Sequence, residues 1–152
     1  MSAFLPLVIL VCYGSWLSVI DIRSHRLPNK LVVTMTVLLI LVQLALAITY
    51  SQLNRLSLAL LTALATTLAY LFLYAASRGS MGMGDVKFAF PLGLVIGWYS
   101  PKQWLMAMFL TFALAGVVAL IGIAIRRTTW KSQLALGPYM FLATVIVCAI
   151  PN

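Results

Sequence analysis

The sequence predicts an all-α polytopic membrane protein, a bundle of about six transmembrane helices with both termini on the outer side. Three observations predict it. Of 152 residues, 64% are hydrophobic and 8% are charged, with a mean hydropathy of +1.10, whereas a soluble domain carries roughly 45–50% apolar and about 25% charged residues. The apolar residues fall in long runs of about 17–25, the length that crosses a hydrocarbon core of about 30 Å as a helix. The basic residues gather in alternate connections between those runs. The length suits one domain, 1–152, with no stretch left for a separate soluble unit.

The first run, 3–22, has no positive residue ahead of it and is too long for the apolar region of a secretory signal, so it reads as a mature span. No lipidation signature accompanies it. Runs 31–50 and 57–77 are the second and third spans. The fourth, 85–99, is the shortest and carries Lys87 and Pro91, so an irregular helix is expected there. Its Gly93 and Gly97 form a G-x-x-x-G face, and Ala113, Gly116 and Ala119 give the fifth span, 103–125, a small-residue stripe. Both faces suit packing within the chain before they suit a homo-oligomer, which the sequence leaves open. The sixth span is 134–150.

Orientation follows from the ten Lys and Arg. Arg23, Arg26 and Lys30 follow the first span, Arg78 and Lys87 the third, and Arg126, Arg127 and Lys131 the fifth, against Arg55 and Lys102 alone on the other side. The positive-inside rule then puts the odd-numbered connections in the cytoplasm. Trp98, Tyr99 and Trp104 fall at the outer interface, where aromatic belts form. The net charge of +8 is therefore a topology signal and a surface for anionic membrane lipids, and it does not mark a nucleic-acid binder.

Only two carboxylates occur, Asp21 and Asp85, and each stands where an apolar span meets a polar connection. Parity places both at the cytoplasmic face: the first span ends there and the fourth begins there. An ionisable group at such a depth is costly and marks a functional candidate. Two carboxylates a few ångströms apart share one proton, so the pair can polarise a water while its protonated member donates to a carbonyl oxygen. That chemistry needs no metal, cofactor or nucleophilic side chain. Around Asp85 runs Gly79-Ser80-Met81-Gly82-Met83-Gly84-Asp85-Val86-Lys87, whose glycines admit close backbone approach. Past Asp21, Pro28 drives Leu27 out of helical geometry and ends the span.

Gly82-Met83-Gly84-Asp85 resembles the Gly-x-Gly-Asp signature of intramembrane aspartyl proteases, and with Asp21 and Leu27-Pro28-Asn29 the chain is similar to the type IV prepilin peptidases. The resemblance covers essentially the whole chain. It implies an aspartyl endopeptidase of the bacterial inner membrane that removes the short basic leader of prepilin or pseudopilin precursors at the cytoplasmic face. By motif position, Asp21 and Asp85 are the catalytic pair, and Gly82 and Gly84 the motif glycines that meet the peptide. Precursors of this family carry a glutamate just after the cleavage point, with which a cation such as Arg23, Arg26, Lys87 or Arg126 would pair. Larger members add paired Cys-x-x-Cys motifs and methylate the new amino terminus. This chain holds only Cys12 and Cys148, within spans and without metal-ligand spacing, so neither zinc nor methyl transfer is implied. The compact form looks most like the prepilin peptidases of tight-adherence (Flp) pilus systems.

Plainer readings stand beside these. Asp85 would serve as the N-cap of the fourth span, Asp21 as an interfacial partner of Arg23 or Arg26, His25 as a solvated histidine, and Lys87 as a lysine extended toward the headgroups. From another functional class, a small proton- or cation-coupled transporter would use the same two acids as a relay, and a scaffolding subunit would use neither.

Overall fold

The computed structural model describes residues 4–24, 27–77, 81–125 and 135–150. Among these there are helices and no strands: α1 (Leu5–Ser24), α2 (Asn29–Thr49), α3 (Leu53–Ala76), α4 (Met83–Tyr99), α5 (Trp104–Ala124) and α6 (Gly137–Ala149), with a 3₁₀ turn, Pro101–Gln103, leading into α5. Leu5–Ser24, Asn29–Thr49, Leu53–Ala76 and Pro101–Ala124 are long and apolar enough to cross a membrane. Large apolar side chains such as Trp16, Leu41, Phe72 and Phe109 lie exposed along them, a surface for lipid rather than water. The chain is an integral membrane protein. At 17 and 13 residues, α4 and α6 extend about 26 and 20 Å, so the six expected spans divide into four full-length helices and two shorter ones.

The shorter α4 is the centre of the bundle. It packs most heavily on α3 and also on α2 and α6, and every residue from Pro91 to Trp98 is buried. The contact with α3 is set by the two glycines: a Cβ on Gly93 would lie 2.6 Å from the Ala63 Cα, and one on Gly97 would lie 2.6 Å from the Ala59 Cα. Backbones that close gain dispersion contacts that lipid tails cannot supply better. The G-x-x-x-G face is thus occupied within the chain. On α5, by contrast, a Cβ on Gly116 would meet nothing within 4 Å.

The irregularity expected at Pro91 is not observed, and α4 runs through it as a helix. The N–H that Pro91 lacks would have reached the carbonyl of Lys87, in the first turns of α4 beside an exposed side chain, where other partners can satisfy that carbonyl. Buried threonines are served within their own helices, and one glutamine is served across helices. Thr66, Thr111 and Thr144 each donate to the carbonyl four residues earlier, and the Gln43 Nε2 donates 3.0 Å to the Leu94 carbonyl, tying α2 to α4.

α1 and α6 pack antiparallel in a definite register. The Phe141 ring of α6 seats on Gly14 of α1, while Gly137 of α6 meets Asp21 of α1. Residues 14 and 21 share one face of α1, two turns apart, and 137 and 141 share one face of α6, one turn apart.

Candidate active site

Asp21 and Asp85 are the chain's only acidic side chains, and both are buried, at 4% and 7% exposure. A carboxylate withdrawn from solvent needs hydrogen-bond donors. The two are held by different parts of the chain.

Asp85 is held from its own turn. Gly82 is extended (φ −76°, ψ 137°) and caps α4, which begins at Met83, two residues earlier than the sequence suggested. Asp85 is therefore not the N-cap. It stands in the first helical turn, where a negative group faces the positive end of the helix, and its N–H donates 3.1 Å to the Gly82 carbonyl. Its carboxylate has a backbone hydrogen bond with Gly82, and a Cβ on Gly82 would come within 3.3 Å of Asp85 Oδ2.

Asp21 is held from the far end of the chain. It lies one turn before the end of α1, and the Gly137 N–H donates 3.0 Å to its Oδ2 across 116 residues of sequence. Gly137 opens α6, followed by Pro138, a pairing suited to a helix start because the N–H that proline lacks would have no intrahelical partner at that position. The residue before it, Leu136, offers no side-chain cap, so the first amide of α6 finds an acceptor on α1.

These two arrangements meet at one end of the bundle, where Asp85 lies within electrostatic reach of Asp21. Both α1 and α4 pack more extensively on α6 than on each other. α6 is thus, with α2, an element that bridges the acid-bearing helices, and its first amide donates to one of the acids.

The motifs around the acids also interlock. Gly84 is half-buried against Leu27, whose Cβ would lie 3.2 Å from a Cβ built on the glycine. Lys87 Nζ donates 3.0 Å to Asn29 Oδ1. So Leu27-Pro28-Asn29 packs directly on the turn and first helical residues that carry Asp85. Lys87, two residues beyond Asp85, is on another side of α4, along a groove of about 490 Å³ between α2 and α4 that is also lined by Asn29, Val33, Val37 and Phe90. It is not gathered with the acids. Arg23 is exposed in the last turn of α1, where a cation complements the helix end. His25, Arg26 and Arg126 lie outside the described residues.

The residue that sequence reasoning missed is Gly137. The Gly137-Pro138 pair was a legible helix-start signal, but nothing local links it to Asp21.

With acids, glycine turn and α6 terminus at one end of the bundle, the site has the groups for acid–base activation of a water. Residues 8–151 match the family model described as the type IV leader peptidase family. Among curated proteins, the chain is similar to the prepilin leader peptidase/N-methyltransferase of Pectobacterium carotovorum subsp. carotovorum, 33% identical over 144 residues that cover 91% of this chain and 48% of that protein. The chain spans about half the length of this curated relative. No solved structure gives a significant match.

Proposed function

We propose, because this chain belongs to the type IV leader peptidase family, that it is an aspartyl endopeptidase that removes the leader peptide from prepilins or pseudopilins, with Asp21 and Asp85 as its catalytic pair. The observation that carries the reading is the burial of the chain's only two acids at one end of the bundle, within electrostatic reach of each other. A membrane protein with no other acidic side chain has little reason to bury both together unless they act together.

The chemistry uses the pair as base and acid. One carboxylate takes a proton from a water as its oxygen attacks the scissile carbonyl carbon, and the other, protonated, donates to the carbonyl oxygen. The tetrahedral diol then collapses: a proton passes to the leaving nitrogen, the C–N bond breaks, and the diol returns a proton to the second carboxyl. The turn at Gly82, exposed beside Asp85, admits an extended backbone. Gly84 and Arg23, with Lys87 along its own groove and Arg26 by sequence position alone, are the further candidates for contact with the peptide.

The distribution of basic residues supports a cytoplasmic location for this end, so the enzyme would work at the cytoplasmic face of a bacterial inner membrane, on the junction between a basic leader and the apolar segment after it. Among the family's precursors we propose those of Flp-type pili, a choice that rests on the sequence resemblance alone.

The test is processing of a prepilin precursor by the purified protein in detergent or bilayers. Cleavage that disappears in both Asp21→Asn and Asp85→Asn is the expected result. Proton or cation flux with no processing by the parent protein would replace the peptidase with the relay.

A further inference from the structure

We infer that Gly137 is a positioning residue for Asp21, its main-chain N–H and its missing side chain together holding the carboxylate in the orientation the pair needs. This rests on the dyad reading above. Two features of the same residue carry it. Its main-chain N–H, the first of α6, donates to Asp21 Oδ2 at 3.0 Å inside the protein. Its lack of a side chain leaves the space the carboxylate fills: a Cβ there would lie 2.7 Å from Oδ2, 3.3 Å from Cγ and 3.4 Å from the Asp21 Cβ. Any other residue would push the carboxylate away from the amide that holds it.

The register of the α1/α6 pair makes this a built contact. Phe141 on Gly14 fixes the two helices one turn deeper along α6 and two turns deeper along α1, so the Gly137 amide cannot slide along α1 without unseating that ring. The helix pair is keyed at both points by a glycine on one helix and a side chain from the other.

A main-chain donor at a helix N-terminus orients the oxygen it serves. Asp85 has its own such setting, in the first turn of α4 with a backbone hydrogen bond to Gly82. The Gly137 bond therefore bears on where the Asp21 carboxylate points, whichever of the two proton-transfer roles it takes.

The experiment uses the full chain in bilayers, labelled with [4-¹³C]aspartate. Because the chain has two acidic side chains, its two labelled carboxyls are assigned by the signal each of Asp21→Asn and Asp85→Asn removes. Gly137→Ala and replacement of Gly137 by glycolic acid, which turns the amide into an ester, deletes the donor and weakens the Leu136 carbonyl that Tyr139 and Met140 donate to, are compared with Gly116→Ala, where the new Cβ meets nothing. Expected are a displaced Asp21 signal in both Gly137 variants and a fall in kcat of about 10²-fold with KM little changed. Gly116→Ala should move neither. The ester keeps the native volume, so it remains informative where the alanine variant fails to fold. An Asp21 signal unmoved in both Gly137 variants overturns the inference, as does a rise in KM at parental kcat, which would make Gly137 a substrate contact. A parent protein that processes no precursor sinks the peptidase reading instead, and the carbon signal then decides the Gly137 bond alone.

Discussion

The turn that opens α4 and the last turn of α1 each bury one carboxylate, and they do so by different means. Asp85 is held within its own segment by Gly82, three residues away. Asp21 accepts from the Gly137 amide, delivered by a helix 116 residues later. A short-range arrangement forms with its helix. A long-range one exists only when α1 and α6 have docked, so half of the site is a property of the turn and half a property of the completed bundle.

The comparison is tested most severely by the carboxylates themselves. Asp21→Asn and Asp85→Asn should each lower precursor cleavage by about 10²–10⁴-fold, and the double variant should be little worse than either alone, because groups that act as one unit lose their function together. Independent, multiplying losses would break the pair into two unrelated acids. The measurement is single-turnover processing of a precursor peptide by protein shown to be folded.

A second contrast separates a glycine that shapes the fold from one that aims a side chain. At Gly93 a new Cβ would meet backbone, 2.6 Å from the Ala63 Cα, and neither helix can yield without separating α3 from α4. Gly93→Ala should therefore destabilise the bundle by about 1–3 kcal/mol, read as a lowered unfolding midpoint in detergent, with residual activity following the folded fraction. At Gly137 the obstructed atoms belong to a carboxylate that can turn aside. An alanine at position 93 that left stability intact would mean the α3/α4 approach is looser than the glycines indicate.

The same residues show what could be read from the chain. Composition and apolar run lengths gave the helices, because lipid requires every spanning backbone to satisfy itself. Gly82-Met83-Gly84-Asp85 was legible because its contacts are local. The centrality of α4 was not. Lys87 and Pro91 made it the least regular expectation, yet residues 91–98 are wholly buried, since its polar end sits beside Asn29 and its glycines, rather than bulk, fit it between neighbours. The Gly137 bond to Asp21 was beyond reach for a different reason. A main-chain amide carries no residue signature, and its partner is fixed by helix register alone.

Register also predicts a difference between two ways of neutralising Asp21. Asp21→Asn keeps an acceptor oxygen for the Gly137 amide, while Asp21→Ala leaves that buried donor without one, a loss of about 1–3 kcal/mol. The alanine variant should unfold earlier than the asparagine variant by that margin. The corresponding gap between Asp85→Ala and Asp85→Asn should be smaller, because a turn at the start of a helix can adjust or admit water more readily than a docked helix pair. Equal gaps would erase the distinction between the local and the long-range holder.

The smallest effect is expected where the chain packs on nothing. Gly116 lies on the exposed side of α5, with no atom within 4 Å of a built Cβ. Gly116→Ala removes backbone freedom from a helix interior and should shift stability by no more than about 1 kcal/mol, toward greater stability. It should leave processing unchanged. Since the small-residue stripe of α5 is unused within the chain at this position, a marked loss of stability or a change in cross-linked oligomer size in this variant would show that a second molecule packs there, and would move α5 from the lipid-facing side of the comparison to the packed side.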